Sequence, residues 1–169
     1  HNGNLTNSYE LRTRLEQNGS IFHTTTDSEV IAYIIVQERL HTPSIEEAVY
    51  DAMGRIEGAY SLVISSPTKL IAARDPIGIR PLYYGYDPSG TIVFASEPKN
   101  LVGLCEKIMP FPPGHYYKDG KFVCYRDITA VKEVCRDDLD TVCTAIREKL
   151  IAGIKKRLVS DAKVGFLLS

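Results

Sequence analysis

Apolar residues recur every three or four positions along the first third of the chain, a spacing typical of amphipathic helices. Leu11 and Leu15 lie four residues apart, and we predict a helix over residues 8–18. Asn7 is the predicted cap of this helix, and Gly19 suits the position just after its end.

Two further helices are predicted by the same spacing. Thr26 and Glu29 form a capping-box pattern that opens a helix over residues 27–40, and Ser44 with Glu47 opens a third. The residues expected to face the core from these two helices are Val30, Ile31, Ile34, Ile35, Leu40, Ala48, Ala52 and Met53.

Beyond the third helix the pattern becomes apolar and β-branched, with turn-forming residues between the runs. It predicts three hairpins, over residues 59–73, 82–95 and 115–125. A short strand at 21–22 and a short helix over 96–104 complete the predicted elements of this part of the chain.

The last third of the chain changes character again. Residues 126–137 are charged without a period and are predicted to be a linker, and residues 138–158 are predicted to form a long amphipathic helix. Residues 164–169 resemble a buried strand that stops mid-course, and the chain has no initial Met, so we expect a piece of a longer protein. Helices, then hairpins, then a helix–strand unit predict an α+β domain followed by the start of an α/β domain.

Composition agrees with an ordinary globular protein and argues against several classes of function. Lys and Arg number 20 against 21 Asp and Glu, so no basic surface favours nucleic acid as a partner. No apolar run approaches the roughly 20 residues of a membrane span, and no secretory signal opens the chain. We therefore expect neither a nucleic-acid nor a membrane partner, and a cytoplasmic location.

The four cysteines, at positions 105, 124, 135 and 143, have spacings that match neither a redox motif nor a zinc site. We expect free thiols in a reducing compartment. The histidines, at positions 1, 23, 41 and 115, are equally scattered, so no metal site is predicted.

The dipeptide Asn2-Gly3 is the first candidate for chemistry. Amide hydrolysis passes through a tetrahedral oxyanion, and an Asn side chain with the backbone N–H of a following Gly supplies two hydrogen-bond donors for it. Asn-Gly is also a strong turn signal, and on the dipeptide alone a turn over residues 1–4 is the better interpretation.

Asp27 is the second candidate, because it follows three threonines at the start of a helix. A carboxylate there would bind a substrate ammonium group, or would serve only as a helix cap, which the residue alone favours. The turn-rich run from Arg74 to Leu82 is interpreted as a structural connection with an internal ion pair, and the tyrosines at 83, 84 and 86 as packing residues.

Taken together, these segments resemble class II glutamine amidotransferases in their order, spacing and residue types. The matching segments are His1-Asn2-Gly3-Asn4-Leu5-Thr6-Asn7, Thr25-Thr26-Asp27-Ser28-Glu29-Val30-Ile31, Gly58-Ala59-Tyr60-Ser61-Leu62 and Ala73-Arg74-Asp75-Pro76-Ile77-Gly78-Ile79-Arg80-Pro81-Leu82. The first two are similar to glutamine phosphoribosylpyrophosphate amidotransferase. Later segments, at residues 95–101, 111–116 and 156–169, are similar to asparagine synthetase, which is therefore the expected parent.

The resemblance implies a fold and a domain organisation. Residues 1–125 would form a glutaminase domain with the four-layer α-β-β-α sandwich of N-terminal-nucleophile hydrolases. After the linker at 126–137, residues 138–169 would be the first helix and strand of an ATP-pyrophosphatase (synthetase) domain.

The resemblance also implies roles for individual residues. Asn2 and Gly3 match the oxyanion hole, and Asp27 matches the carboxylate that holds the glutamine α-amino group. Asn4 stands beside the substrate where asparagine synthetases often carry Glu, a departure from the pattern. Near the other end, the residues matched to nucleotide binding are Leu168, beside the adenine pocket, and Ser169, the first residue of a pyrophosphate loop.

In this family an N-terminal Cys attacks the glutamine amide, with its own α-amine as base. None of the four cysteines fits that role, so we expect the nucleophile, and an Arg for the substrate carboxylate, upstream of His1, and no activity from residues 1–169 alone. The expected parent uses ATP and Mg²⁺ to convert aspartate and glutamine to asparagine and glutamate, releasing AMP and pyrophosphate. The glutaminase domain itself would need no cofactor, and a homodimer is allowed.

Two other functions stay open at this point. One is the amidophosphoribosyltransferase of purine synthesis, which shares the first motifs. The other is a non-catalytic module that binds at a glutamine site. The acceptor of the ammonia is not fixed by residues 1–169, because its pocket would lie beyond Ser169.

Overall fold

The computed structural model describes residues 1–158 and 162–167. It divides the chain into two compact units, His1–Ala130 and Val131–Ser169. The glutaminase, linker and synthetase assignments of these segments stay predictions.

Three helices and eight strands make up the first unit. The helices are α1 (Ser8–Gln17), α2 (Asp27–Arg39) and α3 (Ile45–Arg55). The strands are β1 (Asn2–Leu5), β2 (Gly58–Ser65), β3 (Leu70–Arg74), β4 (Tyr83–Tyr86), β5 (Ile92–Ala95), β6 (Ile108–Pro110), β7 (His115–Lys118) and β8 (Lys121–Cys124), with a 3₁₀ helix at Pro98–Leu101.

The strands form two antiparallel sheets. The first sheet has the order β1-β2-β3-β7-β8, and the second has the order β5-β4-β6. The three predicted hairpins are confirmed as β2–β3, β4–β5 and β7–β8. Strand β1 lies at the edge of the first sheet, with Gly3 opposite Tyr60 and Leu5 opposite Gly58. One side of β1 is therefore free of other strands of the sheet.

The three helices cover one face of the first sheet, and the second sheet packs on the other face. Helix α2 contributes Val30, Ile31, Ile34 and Ile35 to the helix-facing core, and full burial of each such side chain contributes about 1.5–3 kcal/mol. The core between the sheets contains Ala72, Leu82, Tyr84, Phe111 and Tyr117. These layers confirm a mixed fold of helices and sheets. In the described first unit they number three, so a second helical layer stays a prediction.

The predicted turn over residues 1–4 is wrong. Asn2, Gly3 and Asn4 belong to β1 and pair in register with β2. The strand forms because Leu5 is buried in the helix-facing core, which draws the preceding residues onto the sheet edge. An Asn-Gly dipeptide turns a chain only where no neighbouring strand competes for its backbone groups.

The three predicted helix starts are correct within a residue, but only one of their predicted caps is confirmed. Ser44 Oγ accepts a hydrogen bond from the Glu47 N–H at 3.2 Å. Asn7 instead spans two backbone groups near the end of α3, donating to the Arg55 carbonyl and accepting from the Glu57 N–H. Side chains that suit a cap bind whichever backbone groups the tertiary fold brings nearest.

The predicted strand at 21–22 is absent from the structure, and the predicted helix over 96–104 is reduced to the 3₁₀ helix. Ile21 is largely exposed, and Phe22 packs against Tyr33 beneath the Arg12 guanidinium. Two apolar residues without a neighbouring strand edge gain no ladder of hydrogen bonds, so no strand forms, and only Phe22 packs on the helices. Leu40, expected in the core, is also exposed.

The second unit contains the predicted long helix, α4 (Leu139–Arg157). Asp138 caps it by accepting from the Thr141 N–H at 3.0 Å. The predicted strand is wrong over residues 164–167, which have no regular structure, because the described part of this unit holds no second strand to pair with. Leu168 and Ser169 lie outside the described residues. Among the described helices, none combines the length and apolar character needed to cross a membrane.

Candidate functional site

The open edge of β1 is defined by one hydrogen bond from Leu5. Its N–H donates to Asp27 Oδ2 at 3.0 Å, so it points away from β2. Backbone N–H groups alternate in direction along an antiparallel strand. The N–H of Gly3, two residues earlier, therefore points toward the same open edge.

Gly3 has no room for a side chain. A Cβ at this position would lie 2.2 Å from the Ala59 carbonyl oxygen and 2.8 Å from His1 Nε2. Both distances are far shorter than atomic contacts allow, and one of the two obstacles is backbone that cannot move aside. The close fit of His1 and β2 around Gly3 therefore requires glycine at this position.

Asp27 joins the start of α2 to β1. Its Oδ2 accepts from Leu5, while Oδ1 lies 3.5 Å from His1 Nδ1, and the side chain is 17% exposed. The alternative of a local helix cap is wrong, because the acceptor bond goes to another element rather than to the helix itself. The start of α2 favours a negative charge here. The His1 ring is the neighbour of Oδ1 in this structure.

His1 is a site residue that sequence reasoning did not single out. Its ring is almost fully buried, with Nδ1 at 2.9 Å from Ser28 Oγ and 3.5 Å from Asp27 Oδ1. It thus fills the space between Gly3 and the first turn of α2. Its place directly before the Asn-Gly pair in the sequence gave no signal of this contact.

Asn2 lies on the opposite face of β1 from Leu5, since side chains alternate along a strand. It lines a pocket of about 220 Å³ between the first sheet and the second, together with Ser61 and apolar side chains that include Leu82 and Phe94. Asn4 is exposed and is not among the lining residues. Gly3 and Asp27 therefore lie at the β1 edge, and Asn2 lines the adjoining pocket, to which Asn4 contributes nothing.

The run from Arg74 to Arg80 is a rigid connection, but the predicted internal ion pair is wrong. Asp75 is 1% exposed, and its carboxylate accepts from the backbone N–H groups of residues 77–80. Arg74 donates to the carbonyls of Gly78, Arg80 and Phe111. The charges of Arg74 and Asp75 are satisfied by backbone groups, which fixes the loop beside the pocket.

Of the tyrosines that follow this loop, Tyr84 is a packing residue, as predicted, whereas Tyr86 is 46% exposed. Tyr84 lies in an aromatic cluster with Phe111 and Phe122 between the two sheets. Burial raises the pKa of Tyr84 above its ordinary value, so its hydroxyl stays protonated. The cluster supports the wall of the pocket without entering it.

All four cysteines are free, with Cys105 buried and the others exposed, and none lines the pocket beside Asn2. Across residues 1–158 and 162–167, no group of three His, Cys, Asp or Glu side chains is arranged to hold a metal ion. The site therefore offers hydrogen-bond donors and a carboxylate as its chemistry.

Comparisons with known proteins agree on one family. The family model described as glutamine amidotransferase domain matches residues 1–103. The amidophosphoribosyltransferase of Methanocaldococcus jannaschii is 41% identical over 146 residues, which are 85% of this chain and 31% of that protein. The probable asparagine synthetase [glutamine-hydrolyzing] of Schizosaccharomyces pombe is 37% identical over 174 residues, covering 99% of this chain and 29% of that protein.

A solved structure agrees with the sequence comparisons. The glutamine phosphoribosylpyrophosphate amidotransferase from B. subtilis, complexed with ADP and GMP, superposes with a TM-score of 0.64 at 32% identity, over 74% of this chain and 28% of that chain. The chain thus spans less than a third of the length of each of these relatives.

Proposed function

This chain belongs to the class II glutamine amidotransferases, and we propose that its first unit binds glutamine at the open edge of β1 and helps to release the amide nitrogen as ammonia. One observation carries the proposal. The Gly3 N–H and the Asp27 carboxylate lie on the same edge of the same strand, a donor and an acceptor side by side.

The spacing along this edge suits glutamine. N–H groups two residues apart on a strand are separated by about 7 Å, and Asp27 Oδ2 lies 3.0 Å from the Leu5 nitrogen. The Gly3 N–H therefore lies within about 10 Å of the Asp27 carboxylate. The four bonds from the α-nitrogen to the amide carbon of an extended glutamine span about 5 Å. The His1 ring lies in this space, with Nδ1 3.5 Å from Asp27 Oδ1, so glutamine would displace it. The amide oxygen would then accept from Gly3 while the α-ammonium group donates to Asp27 Oδ1.

In the proposed mechanism the residues at the amide end of glutamine stabilise the transition state, and the residue at the ammonium end contributes to binding. Attack on the amide carbon places negative charge on its oxygen, which the Gly3 N–H and the Asn2 side-chain amide would stabilise. Asp27 would bind the ammonium group in substrate and transition state alike, so it contributes to affinity. The nucleophile implied by the family resemblance, an N-terminal Cys, has no counterpart among the four cysteines of this chain.

For the acceptor of the ammonia we keep asparagine synthetase as the proposed parent, with ATP, Mg²⁺ and aspartate as its further requirements. The alignment with the Schizosaccharomyces pombe relative supports it, because that alignment extends over 99% of the chain. The nucleotide residues proposed for it, Leu168 and Ser169, lie outside the described residues, so the nucleotide requirement rests on sequence resemblance alone.

Amidophosphoribosyltransferase is the second candidate, and the higher identity of 41% to the Methanocaldococcus jannaschii relative favours it. Complementation separates the two. The gene that encodes this chain should restore growth of an asparagine auxotroph if the first proposal holds. Growth of a purine auxotroph that lacks amidophosphoribosyltransferase, without rescue of the asparagine auxotroph, would replace it with the second.

A third possibility is a glutamine-binding module without catalysis. It would bind glutamine as the two enzymes do but would show no activity. Isothermal titration calorimetry of the chain with L-glutamine tests the property that all three functions share, which is binding of glutamine at this site. We expect binding that is about 10–150-fold tighter than binding of 4-carbamoylbutanoate, the analogue without the α-ammonium group, since one charged hydrogen bond contributes that much. Equal affinity for both ligands, or no binding of glutamine, would overturn the proposed site.

A further inference from the structure

Residues 20–26, which lead into α2, have no helix or strand of their own, yet they are fastened to both neighbouring helices. Arg12 on α1 donates to the Thr24 carbonyl at 2.6 Å. Tyr33 on α2 donates its hydroxyl hydrogen to the Ile21 carbonyl. The segment is thus tied down at two points by side chains from outside it.

The third attachment of this segment is to Glu29, whose two carboxylate oxygens both accept hydrogen bonds from it. Oε1 accepts from the His23 N–H at 2.9 Å, and Oε2 accepts from the Thr24 N–H at 2.8 Å and the Thr24 hydroxyl at 2.6 Å. These donors, led by the His23 N–H, lower the pKa of Glu29 below its ordinary value. The carboxylate is therefore ionised at neutral pH and holds three donors at once.

Glu29 does not play the capping role that its position suggests. In a capping box it would accept from the N–H of the cap residue, Thr26. That N–H donates instead to Thr24 Oγ1 at 3.3 Å. Glu29 therefore fixes the chain before the helix rather than the end of the helix itself.

The first turn of α2 also carries Asp27, two residues before Glu29. Asp27 contacts the Leu5 N–H and the His1 ring at the β1 edge, and the chain enters α2 directly before it. A shift of the entry would break the three bonds to Glu29. The position of the Asp27 carboxylate is thus mechanically linked to a residue that does not touch the β1 edge.

We propose that Glu29 is a positioning residue for recognition of the substrate α-ammonium group, acting through the entry to α2 to hold Asp27 at the β1 edge. The proposal rests on the proposed function, because glutamine at that edge is the substrate that Asp27 would bind. It concerns selectivity for the ammonium group rather than the chemical step.

The test compares two ligands in matched variants. The ratio of the dissociation constant for 4-carbamoylbutanoate to that for L-glutamine measures recognition of the ammonium group. We expect Glu29→Gln to lower this ratio about tenfold, the lower end for weakening a hydrogen bond to a charged group. Glu16→Gln is the control, since the Glu16 carboxylate accepts from Arg12 Nε at 2.9 Å, whereas Glu29 binds the backbone of the segment 20–26. It should leave the ratio unchanged.

A second measurement tests the hydrogen bonds between Glu29 and the segment 20–26 directly. Hydrogen exchange at the His23 and Thr24 amides should be faster in Glu29→Gln than in the wild-type chain, and unchanged in Glu16→Gln. Thr24→Val removes the hydroxyl that donates to Glu29 and accepts from the Thr26 N–H, and it should lower the ligand ratio in the same direction. Thr24→Val provides a second test if Glu29→Gln folds poorly.

Each contrary outcome has its own meaning. Faster exchange with an unchanged ratio would make Glu29 a structural residue only, and unchanged exchange would show that the tie does not exist. An equal loss of affinity for both ligands would point to general disruption, and all three overturn the inference while leaving the glutamine site in place. Failure of the wild-type chain to bind glutamine would overturn the proposed function and this inference with it.

Discussion

Gly3 combines two properties at one position of the β1 edge. Its missing side chain lets His1 and the Ala59 carbonyl approach to distances that a Cβ would forbid. Its N–H points to the open side of the sheet, as the neighbouring Leu5 bond shows. A glycine kept for packing thus also gives an incoming oxygen free access to a backbone donor.

Asn2→Ala separates oxyanion stabilisation from ground-state binding. In an active enzyme that carries this chain, we expect kcat for glutamine hydrolysis to fall about 10²–10³-fold. KM should stay nearly constant, because the side-chain amide would bind charge that exists only in the transition state. The measurement is kcat normalised by active-site titration, beside a thermal melt. A normal titrated kcat with a lowered melting temperature would make Asn2 a purely structural residue of β1.

Asp27→Ala distinguishes glutamine recognition from fold maintenance. Loss of a charged hydrogen bond to the substrate ammonium group costs about 1.5–3 kcal/mol, so kcat/KM for glutamine should fall roughly 10–150-fold. Activity with free ammonia should change little, because ammonia needs no glutamine site. Since Asp27 also binds the Leu5 N–H, an equal loss with both nitrogen sources would show that this structural bond is its main role.

Residue types were predicted better than residue partners. The sequence marks Asn7 and Glu29 as side chains that accept hydrogen bonds at helix starts. It does not show that Asn7 meets the end of α3, 50 residues away, or that Glu29 meets the segment before α2. Such partners depend on how elements approach one another, and a local pattern carries no distance between elements.

The elements that the sequence could predict are those whose apolar pattern repeats over many residues. Helices α2 and α4 repeat their apolar residues over several turns, and the hairpins place turn formers between two apolar runs. Strand β6 was missed, because three residues beside a proline are too few to show alternation. It exists through its pairing with β4, where Met109 lies opposite Tyr84.

One ion cluster joins three elements at the far end of the first sheet. Lys69, just before β3, binds Glu46 in the first turn of α3 at 2.8 Å and Asp119 in the β7–β8 turn. Hydrogen bonds from Lys69 lower the pKa of both carboxyls, and the same bonds, first that to Asp119, raise the pKa of Lys69. The cluster is therefore fully charged at neutral pH.

Lys69→Met should lower the melting temperature at pH 7 by a few degrees, because it leaves the buried Glu46 carboxylate without its partner. A carboxyl whose pKa is lowered on folding stabilises the fold above its unfolded pKa and loses that effect as the pH falls through its folded pKa. The difference between variant and wild type should therefore shrink below about pH 4. Raising the pH should not remove it before the ordinary pKa of lysine, 10.5, is passed.

The matched control is Lys121→Met, at an exposed lysine of β8. It removes the same charge without breaking the cluster, so its melting temperature should follow the wild type at every pH. A difference for Lys69→Met that is constant from pH 3 to pH 7 would show that packing, rather than charge, explains the loss.

At the scale of the whole molecule, the sequence predicted the fold class but not the order of strands. The pairings of β1 with β2 and of β3 with β7 join segments that lie far apart along the chain. The first pairing leaves β1 with an open edge, where the Leu5 N–H binds Asp27 on α2. The apolar residues of α4, by contrast, were predicted correctly as one helix, yet they are exposed in the described part of the second unit.

Residues 1–169 should release no ammonia from glutamine, because no cysteine lines the pocket beside Asn2. A coupled assay of the purified chain with L-glutamine measures this against a buffer control. Ammonia above that background, lost on Asn2→Ala, would show that a group of this chain acts as the nucleophile and that the proposed division of roles is wrong.

The central claim is that glutamine binds along the open edge of β1, between the Gly3 N–H and the Asp27 carboxylate. Amide chemical shifts of the ¹⁵N-labelled chain, followed during titration with L-glutamine, test it most directly. We predict that the Gly3 amide shifts most, with smaller shifts at Leu5 and at the first turn of α2, and that Asp27→Asn abolishes the Gly3 shift. Saturable shifts confined to another part of the molecule, with Gly3 unmoved, would contradict the claim.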